Sequence, residues 1–411
     1  MKIAMPPGQV ILSLLHPIDL STFTGTCDMQ PGAAVVVGGK LNGLGVCRSL
    51  GRAGVRSYLL DRKRWNPGMW SRHARPIVVP ALDGPSLMNA LLDFQATLGE
   101  QPFLIITDEM SALTISEHRQ MLDGKFRIHL PSHKTVLTLH NKALFHEYAL
   151  QHGLSVPNAA IVREPSDILK LRTLRFPVVI KPADKSHFHS GAAPRLVVAE
   201  TLDVGLKTCQ TMLEIAGDTI VYEWIAGADD TIYFSLFYRV AGQTVSMFTG
   251  RKLASTPPGT GSTAFCTAAD DARETLEPMT NAILDMMDYA GFGSIEYKWD
   301  AAARRFVIIE PTVGRTDWQE EIATLSGVNI PLDAYRHEFS LPPLPRTREN
   351  RPIVWQASCF DRLTLAAVAI PIGAAIFDGY WRIDDPLPAL AHYPYDLCVA
   401  AYYRLRGKDR S

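Results

Sequence analysis

The sequence has few cysteines and no excess of charge of either sign. Its 411 residues include six cysteines, which are scattered and form no C-x-x-C pair, and the formal net charge is −1. This cysteine usage excludes a disulfide scaffold and a zinc finger, and it favours a reducing, cytoplasmic compartment. A net charge so close to zero gives no general attraction to nucleic acid or anionic lipid, so partners must be inferred from local features.

Long apolar runs are also missing. The apolar stretch at residues 10–15 is short and no small-residue cleavage site follows it, so we expect no export signal. The most apolar later stretch, residues 364–377, contains Pro371 and Gly373 and is shorter than the roughly 20 residues that cross a bilayer as a helix. We expect a buried helix there, with a segment resting on a membrane surface as the alternative.

The pattern of strands and helices predicts an α/β protein. Residues 33–125 begin with an all-apolar strand, which a glycine-bearing loop joins to a helix. Three more strand signals follow, with a helix near residues 86–98. We therefore expect an open parallel α/β domain there. In residues 126–340 most strands alternate or run apolar with few helices between them, which indicates an α+β domain with antiparallel sheets. Residues 1–32 and 341–411 are expected to be terminal extensions.

The glycine-bearing loop, residues 38–45, joins the first strand to the first helix. Its sequence, GGKLNGLG, matches neither of the two common phosphate-binding glycine motifs. Backbone N–H groups at such a position suit a substrate carboxylate or phosphate. The alternative is a tight turn that needs glycine only for its positive φ angle.

Two lysines are notable for their positions. Lys181 closes the apolar strand signal FPVVIK, and Lys142 stands at the start of a predicted helix. An ammonium group in a buried setting needs an anion, and a triphosphate supplies several negative charges. For Lys142 a solvated helix position is the alternative. The polar stretch of small residues at 182–195 has the composition of a mobile lid, with a surface hairpin as the alternative.

The stretch VYEWIAGADD ends a strand signal and continues into a turn. Backbone groups of Glu223, Trp224 and Ile225 are there able to bind a purine, and a carboxylate of Asp229 or Asp230 is able to bind ribose hydroxyls. Taken alone, the stretch is equally compatible with a plain strand and turn.

Two glutamates, Glu296 and Glu310, lie among apolar residues in two successive strand signals. A carboxylate is costly to bury without a partner. If the two strands pair as antiparallel neighbours in register, both side chains face the same side and can hold Mg²⁺ together with substrate phosphates. Two solvent-facing carboxylates are the alternative.

The residues after Glu310 carry a further cation. Arg315 is placed to contact an anionic intermediate, whereas residues 316–320 have the pattern of a helix start. For Asp317 and Glu320 we therefore favour helix capping over a role in chemistry.

Taken in order along the chain, these features resemble the ATP-grasp superfamily of carboxylate–amine ligases, and most of all its members that are similar to carbamoyl-phosphate synthetase and D-aspartate ligase. The resemblance covers about residues 33–335. It implies a pre-ATP-grasp domain followed by a two-lobed ATP-grasp domain, with ATP and Mg²⁺ as cofactors.

The resemblance also implies roles for single residues. ATP would be held by Lys142, Lys181, Glu223, Trp224, Ile225 and either Asp230 or Asp229. The γ-phosphate or the substrate would be approached by Arg251, Lys252 and Arg315. Magnesium would be bound by Glu296 and Glu310, with Thr312 where the family usually has an asparagine.

The reaction that this resemblance implies is a two-step ligation. A carboxylate attacks the γ-phosphate of ATP to give an acyl phosphate and ADP, and an amine then displaces phosphate. The rivals are an enzyme that stops at the acyl phosphate or uses another nucleophile, an ATP-binding regulatory or scaffold protein and, from the glycine loop alone, a nicotinamide-dependent oxidoreductase. We expect small-molecule partners and no nucleic acid. Residues 341–411 leave open a cap, a homodimer surface or a membrane-facing edge.

Overall fold

The computed structural model describes residues 31–185, 193–346, 351–358 and 368–405. The middle of the predicted lid and most of the N-terminal extension lie outside these residues. The described chain forms three β-sheets.

The first sheet is parallel and has the strand order β3-β2-β1-β4. Its strands are β1 (Ala34–Val37), β2 (Ser57–Asp61), β3 (Arg75–Val78) and β4 (Phe103–Ile106). Its helices are α1 (Leu41–Arg52), α2 (Gly84–Leu98) and α3 (Glu109–Glu117), with 3₁₀ turns at Pro67–Trp70 and Arg119–Leu122. Strands β1 and β4 are apolar and buried along their whole length, as expected for strands of a parallel sheet that is covered on both faces. The predicted parallel α/β unit is confirmed.

The second sheet is antiparallel and has the order β5-β8-β6-β7. Its strands are β5 (Ala159–Val162), β6 (Val178–Pro182), β7 (Val197–Ala199) and β8 (Thr219–Glu223). The accompanying helices are α4 (His133–His140), α5 (Lys142–Gln151) and α6 (Leu202–Ala216), with a 3₁₀ helix at Pro165–Thr173. The side chain of Asn141 caps α5 by accepting N–H bonds from Ala143 and Leu144, so Lys142 is fixed in the first turn of that helix.

The third sheet has seven strands in the order β13-β12-β9-β10-β11-β14-β15. Its strands are β9 (Ile232–Val240), β10 (Gln243–Thr256), β11 (Ser262–Ala268), β12 (Gly291–Asp300), β13 (Arg305–Val313), β14 (Ile353–Gln356) and β15 (Ala375–Asp378). The helices are α7 (Asp270–Met286), α8 (Glu321–Leu325) and α9 (Ile330–Glu338), with a 3₁₀ turn at Asp229–Thr231. All pairings are antiparallel except β14 with β15.

The C-terminal segment continues the third sheet through β14 and β15 and then forms helix α10 (Leu387–Leu405). It is tied to the first sheet by Arg48 of α1, which is fully buried and whose Nε lies 2.9 Å from Asp385 Oδ2. The same guanidinium lies 3.6 Å from Glu321 at the start of α8. A buried charge is tolerated only with such partners, so the C-terminal segment completes the environment of α1.

The buried helix expected over residues 364–377 is wrong for the part that the structure describes. Residues 375–378 form strand β15, and Ile372 is 99% exposed. Pro371 and Gly373 account for the difference, because Pro371 accepts the N–H of Ala374 in a turn and Gly373 has a φ of 75°, which a helix does not allow.

A shared core joins the parallel sheet to the seven-stranded sheet. Leu44 of α1 and Phe103 of β4 belong to one buried cluster with Tyr238 of β9 and Phe292 of β12. The Phe103 and Tyr238 rings meet edge to face, 6.0 Å apart. This packing brings the carboxyl end of the parallel sheet to the β12–β13 hairpin. No helix within the described ranges is long and apolar enough to cross a membrane.

Candidate active site

Glu296 of β12 and Glu310 of β13 lie directly opposite each other in the strand register. Both side chains are mostly buried, at 15% and 26% exposed, and both line a cavity of about 260 Å³ between the three sheets. The pairing geometry expected from the sequence is therefore present. The cavity's cationic residues are Lys40, Lys142, Lys181, Lys185, Arg195, Lys252 and Arg315. Its acidic residues are Asp108, Glu109, Asp184, Glu296, Glu310 and Asp317.

Each glutamate of the pair is held by one lysine. Lys252 Nζ lies 2.7 Å from Glu296 Oε1, and Lys185 Nζ lies 3.0 Å from Glu310 Oε1. Burial alone would lower the pKa of both lysines. Glu296 outweighs it at Lys252, and Glu109 together with Glu310 outweighs it at Lys185, so both lysine pKa values are raised. Each carboxylate thus has one oxygen occupied by a lysine.

The two glutamates differ in how well they are neutralised. Burial raises the pKa of Glu310, but Lys185, Lys142 and Lys181 more than offset it and hold that pKa well below its usual range. At Glu296 burial dominates, with Lys252 opposing it and Asp317 adding to it, and the pKa is raised. Lys252 therefore compensates the charge on Glu296 only in part, and a divalent cation would supply the missing positive charge.

The donor set fits magnesium. The nearest lysine contact of each glutamate is made by its Oε1, which leaves Glu296 Oε2 and Glu310 Oε2 as the candidate metal ligands. Thr312, two residues beyond Glu310 on the same strand, lines the same cavity. No group of three His, Cys, Asp or Glu residues in the described ranges is arranged to hold a metal alone. Phosphate oxygens would have to complete the coordination, which is common for Mg²⁺.

Lys142 and Lys181 both line this cavity. Lys142 is half-buried because it faces the cavity, yet desolvation by the surrounding protein lowers its pKa to about 7, with Lys185 and Lys181 adding to the effect. Desolvation likewise lowers the pKa of Lys181. A polyanion that enters the cavity would stabilise the charged form of both desolvated lysines. The solvated helix position considered for Lys142 is not what the structure has, because Lys142 lines the cavity.

Glu109 is a site residue to which our sequence analysis assigned no role, although it lies where the ligands of a parallel sheet are expected. It stands at the first turn of α3, and its carboxylate lies 3.2 Å from Lys185 Nζ and 3.8 Å from Arg315 Nη2. Buried His140 lies between Glu109 and Asp184, 3.4 Å from each. Burial lowers the pKa of His140, but those two carboxylates outweigh it and raise the pKa. The signal was the carboxyl end of β4, where ligands of parallel sheets bind.

A smaller cavity of about 120 Å³ adjoins the first and shares Lys181, Lys252 and the glutamate pair with it. Its wall is formed by Tyr222, Glu223, Trp224, Ile225, Ile232 and Ile309. Within the described residues the N–H of Ile225 donates no hydrogen bond, whereas the N–H of Trp224 donates to Pro177. A flat apolar slot with a free backbone donor suits a purine.

The carboxylate of Glu223 points away from this slot. Arg175 Nη2 lies 2.7 Å from Glu223 Oε2, and this contact outweighs burial, so the pKa of Glu223 is lowered. Only its backbone is left to contact a base.

The expected ribose contact of Asp229 or Asp230 is not what the structure has. Asp229 accepts the N–H groups of Ser255 at 2.8 Å and Gly259 at 3.1 Å, so its carboxylate holds the turn after β10. Asp230 is exposed, and neither aspartate is among the described residues that line the two cavities. A short aspartate next to a turn prefers nearby backbone donors.

Arg251 and Lys252 lie on opposite faces of β10. Lys252 faces the cavity, whereas Arg251 stacks over Tyr233 with its guanidinium carbon 5.7 Å from the ring centre and lies 3.5 Å from Asp271. The structure therefore brings Lys252 to the site but not Arg251. Successive strand residues point to opposite faces, so the two could not both approach the γ-phosphate.

Arg315 and Asp317 both line the cavity. Arg315 Nη1 lies 3.7 Å from Asp317 Oδ1, and Arg315 Nε is buried with no partner among the described residues. Helix α8 begins only at Glu321, and no side chain caps it. The capping role favoured for Asp317 and Glu320 is wrong, because the chain passes through a turn at residues 318–320 before the helix starts.

The glycine loop serves mainly as a close-packed turn. Gly38 has a φ of 105°, and the N–H of Gly39 donates to Asp61 Oδ2 at 2.6 Å. Asp61 is thus engaged at the end of β2, where a dinucleotide-binding fold would need a free acid for ribose. A Cβ on Gly43 would lie 1.9 Å from the Gly38 carbonyl oxygen. Only Lys40 and Asn42 of this loop reach the cavity, so nothing favours the nicotinamide alternative.

The chain is similar to proteins of known structure and activity. It is 22% identical over 316 residues to D-aspartate ligase of Enterococcus faecium (strain Aus0004), covering 72% of this chain and 74% of the relative. An ADP complex of N5-carboxyaminoimidazole ribonucleotide synthetase superposes with a TM-score of 0.62 at 14% identity, covering 80% of this chain and 82% of that one. No protein-family model matches the chain.

A third similar structure is the biotin carboxylase domain dimer of Hydrogenobacter thermophilus 2-oxoglutarate carboxylase, solved with MgADP, ADP and bicarbonate. It gives a TM-score of 0.60 at 14% identity and covers 78% of this chain and 73% of that chain. The parallel sheet followed by two antiparallel sheets around a charged cavity is the ATP-grasp fold. The chain therefore has the ATP-grasp fold.

Proposed function

We propose that this protein is an ATP-dependent, ADP-forming ligase that joins a carboxylate to an amine. The observation that carries the proposal is the in-register pair of Glu296 and Glu310, whose side chains line the same cavity as Lys142 and Lys181. The seven cationic and six acidic residues of the cavity nearly cancel. A triphosphate of charge about −4 would therefore leave the site strongly anionic unless divalent cations accompanied it.

The two cavities divide the nucleotide between them. The base would lie in the slot beside Trp224 and Ile225, with the free Ile225 N–H as a donor. The phosphates would extend past Lys181 towards Lys142, whose ammonium groups would contact their oxygens. Bound Mg²⁺ would neutralise charge on those phosphate oxygens, held by Glu296 and Glu310 with Thr312 beside them.

The first chemical step would form an acyl phosphate. An oxygen of the substrate carboxylate attacks the γ-phosphorus, the bond from that phosphorus to the β,γ-bridging oxygen breaks, and ADP leaves. Lys252 is the cation on the β10 side of the reacting phosphate. If Lys252 left Glu296 and contacted a phosphoryl oxygen, its positive charge would stabilise the negative charge that develops on the transferred phosphoryl group.

The second step would form the amide bond. The amine nitrogen attacks the acyl carbon, the bond from that carbon to the phosphate oxygen breaks, and phosphate leaves while the amine loses a proton. The tetrahedral intermediate carries an oxyanion, for which Arg315 is the candidate donor through its unpartnered Nε. Glu109 would act as a positioning residue because it lies beside both Arg315 and Lys185.

A screen for ADP release tests the proposal. D-aspartate is the first carboxylate to try, because a ligase named for it is a relative of this chain, followed by other amino acids and sugar acids. Each is assayed alone, with a panel of amines, and with hydroxylamine, which would trap an acyl phosphate as a hydroxamate.

We expect ADP release to require one carboxylate and to rise with one amine. Tight ATP binding without ADP release in any combination would contradict the proposal and favour the regulatory or scaffold alternative. ADP and hydroxamate formation without an amide product would favour the enzyme that stops at the acyl phosphate.

A further inference from the structure

The solvent-facing side of helix α10 is apolar. Its exposed side chains recur at intervals of three and four residues, which places them on one helix face. Within residues 387–398 they are Leu387, Leu390, Pro394, Leu397 and Cys398. None of the exposed side chains described on this helix is charged. A surface helix of a globular protein normally shows the opposite arrangement, with charged residues outward.

The other side of α10 is already used by the fold. Ala389 is buried in the main core, and His392 stacks on Tyr380 with 3.7 Å between ring centres. The apolar outer face is therefore not a core face turned outward by a rotated helix. It is a second apolar face, and such surfaces mark sites of interaction.

A basic, aromatic loop lies beside the start of this helix. It follows β2, and Trp65 and Trp70 are 59% and 44% exposed in it. Arg62, Arg64 and Arg72 are exposed as well, and the sequence has no acidic residue between Asp61 and Asp83. Arg62, Lys63 and Arg64 make no ion pair within the described ranges.

Hydrogen bonds fix the loop next to the start of α10, although the two segments lie far apart in the sequence. Ser71 Oγ donates to Asp385 Oδ2 at 2.8 Å, and the N–H of Arg72 donates to Asp385 Oδ1 at 2.9 Å. Asp385 is two residues before the first residue of α10. The end of the loop therefore adjoins the start of α10, and we call the loop and the leucine face together the α10 surface.

We propose that the α10 surface docks this protein onto the headgroup region of a bilayer that contains anionic lipid. Leucine and tryptophan side chains flanked by arginine and lysine match the boundary between headgroups and acyl chains. The chain as a whole has a net charge of only −1, so this cationic cluster is a local feature.

A second copy of the chain fits this surface less well than a bilayer. A two-fold contact centred on α10 places the same surface patch of each copy against the other. The unpaired arginines of the two copies would then meet, which is unfavourable. An anionic bilayer offers negative charge to those arginines and an apolar boundary to the leucines.

Sedimentation with large unilamellar vesicles tests the proposal on the full chain. We expect binding to vesicles of equal parts phosphatidylcholine and phosphatidylglycerol, little binding to phosphatidylcholine alone, and release at about 0.5 M NaCl, where charges are screened beyond roughly 4 Å. Arg62→Gln combined with Arg64→Gln should weaken binding roughly twenty-fivefold, at about fivefold for each cation lost near an anionic surface. Leu390→Glu should weaken it at least tenfold.

Matched variants elsewhere on the surface provide the controls. Leu150 of α5 is 62% exposed and Leu390 is 58% exposed, so Leu150→Glu makes the same change away from the α10 surface and should bind normally. Lys207→Gln, in α6, removes a cation away from the α10 surface. It is the control for the arginine variants and should also bind normally. Equal binding to both vesicle types, or unchanged binding by Leu390→Glu, would overturn the proposal. So would a wild-type dimer that Leu390→Glu converts to a monomer, which would make the surface an interface between copies.

Discussion

Nucleotide binding should be coupled to protonation of the Lys142 side chain. Its ammonium group faces the cavity between Lys181 and Lys185, and desolvation with those two charges lowers its pKa to about 7, against 10.5 for an ordinary lysine. Phosphate oxygens placed next to it would favour the charged form and return the pKa towards its usual range.

The size of the proton uptake follows from that pKa. With a pKa of about 7 in the free protein, about half of the molecules carry a neutral Lys142 at pH 7 and about nine in ten at pH 8. If every bound molecule carries the charged form, binding takes up about 0.5 proton through this residue at pH 7 and about 0.9 at pH 8. Uptake through Lys142 thus increases with pH over this range.

Isothermal titration calorimetry measures this uptake directly. Titrating a non-hydrolysable ATP analogue with magnesium in two buffers of different ionisation enthalpy gives the number of protons bound. Lys142→Arg is the matched control, because arginine keeps the positive charge and does not titrate near pH 7. We expect the wild-type protein to exceed this variant by about 0.5 proton at pH 7 and about 0.9 at pH 8. Equal uptake by the two proteins would refute the reasoning about this lysine.

Three further predictions concern single side chains. Lys252→Met should lower the rate of ADP release at least about a hundredfold, whereas Arg251→Met, on the opposite face of β10, should stay within about twofold. Asp229→Ala should lower the free energy of unfolding by about 1–3 kcal/mol in chemical denaturation, because two backbone N–H groups lose their acceptor. Glu320 is fully buried with a pKa raised by burial to about 8. Because the unfolded chain loses this proton near pH 4.5 and the folded one near pH 8, wild-type stability should fall across that window by up to roughly 5 kcal/mol, and Glu320→Gln should remove that decline.

Each of these has an outcome that contradicts it. Equal loss of activity in the two β10 variants would show that Arg251 reaches the site after all. Unchanged unfolding of Asp229→Ala would mean that its two contacts add nothing to the turn. Identical pH profiles for wild type and Glu320→Gln, measured by denaturation from pH 4 to pH 9, would exclude a buried neutral carboxyl at that position.

The fold and the centre of the site could be predicted from the sequence because their signals are local. The apolar strands β1 and β4 and the two glutamates on successive strands can each be found within a short stretch of sequence. Strand alternation also places Arg251 and Lys252 on opposite faces of β10. The sequence alone therefore already indicates that only one of the two faces the site.

The rest of the site depends on contacts between distant segments. Glu109 acquires its neighbours only when α3 of the first sheet meets Lys185 after β6 and Arg315 after β13. The contacts of Asp229 could not be predicted because the backbone donors that engage it belong to a turn about thirty residues later. Strand β15 was missed because four residues after a Pro-Gly turn carry too little pattern to be recognised.

The central claim is that Glu296 and Glu310 hold the metal that accompanies ATP. Electron paramagnetic resonance measures it most directly, by titrating Mn²⁺ in place of Mg²⁺ in the presence of a non-hydrolysable ATP analogue. Glu296→Gln and Glu310→Gln should each weaken Mn²⁺ binding at least tenfold, while Glu223→Gln, whose carboxylate faces Arg175, should bind as the wild type does. Wild-type Mn²⁺ affinity in both of the first two variants would contradict the account.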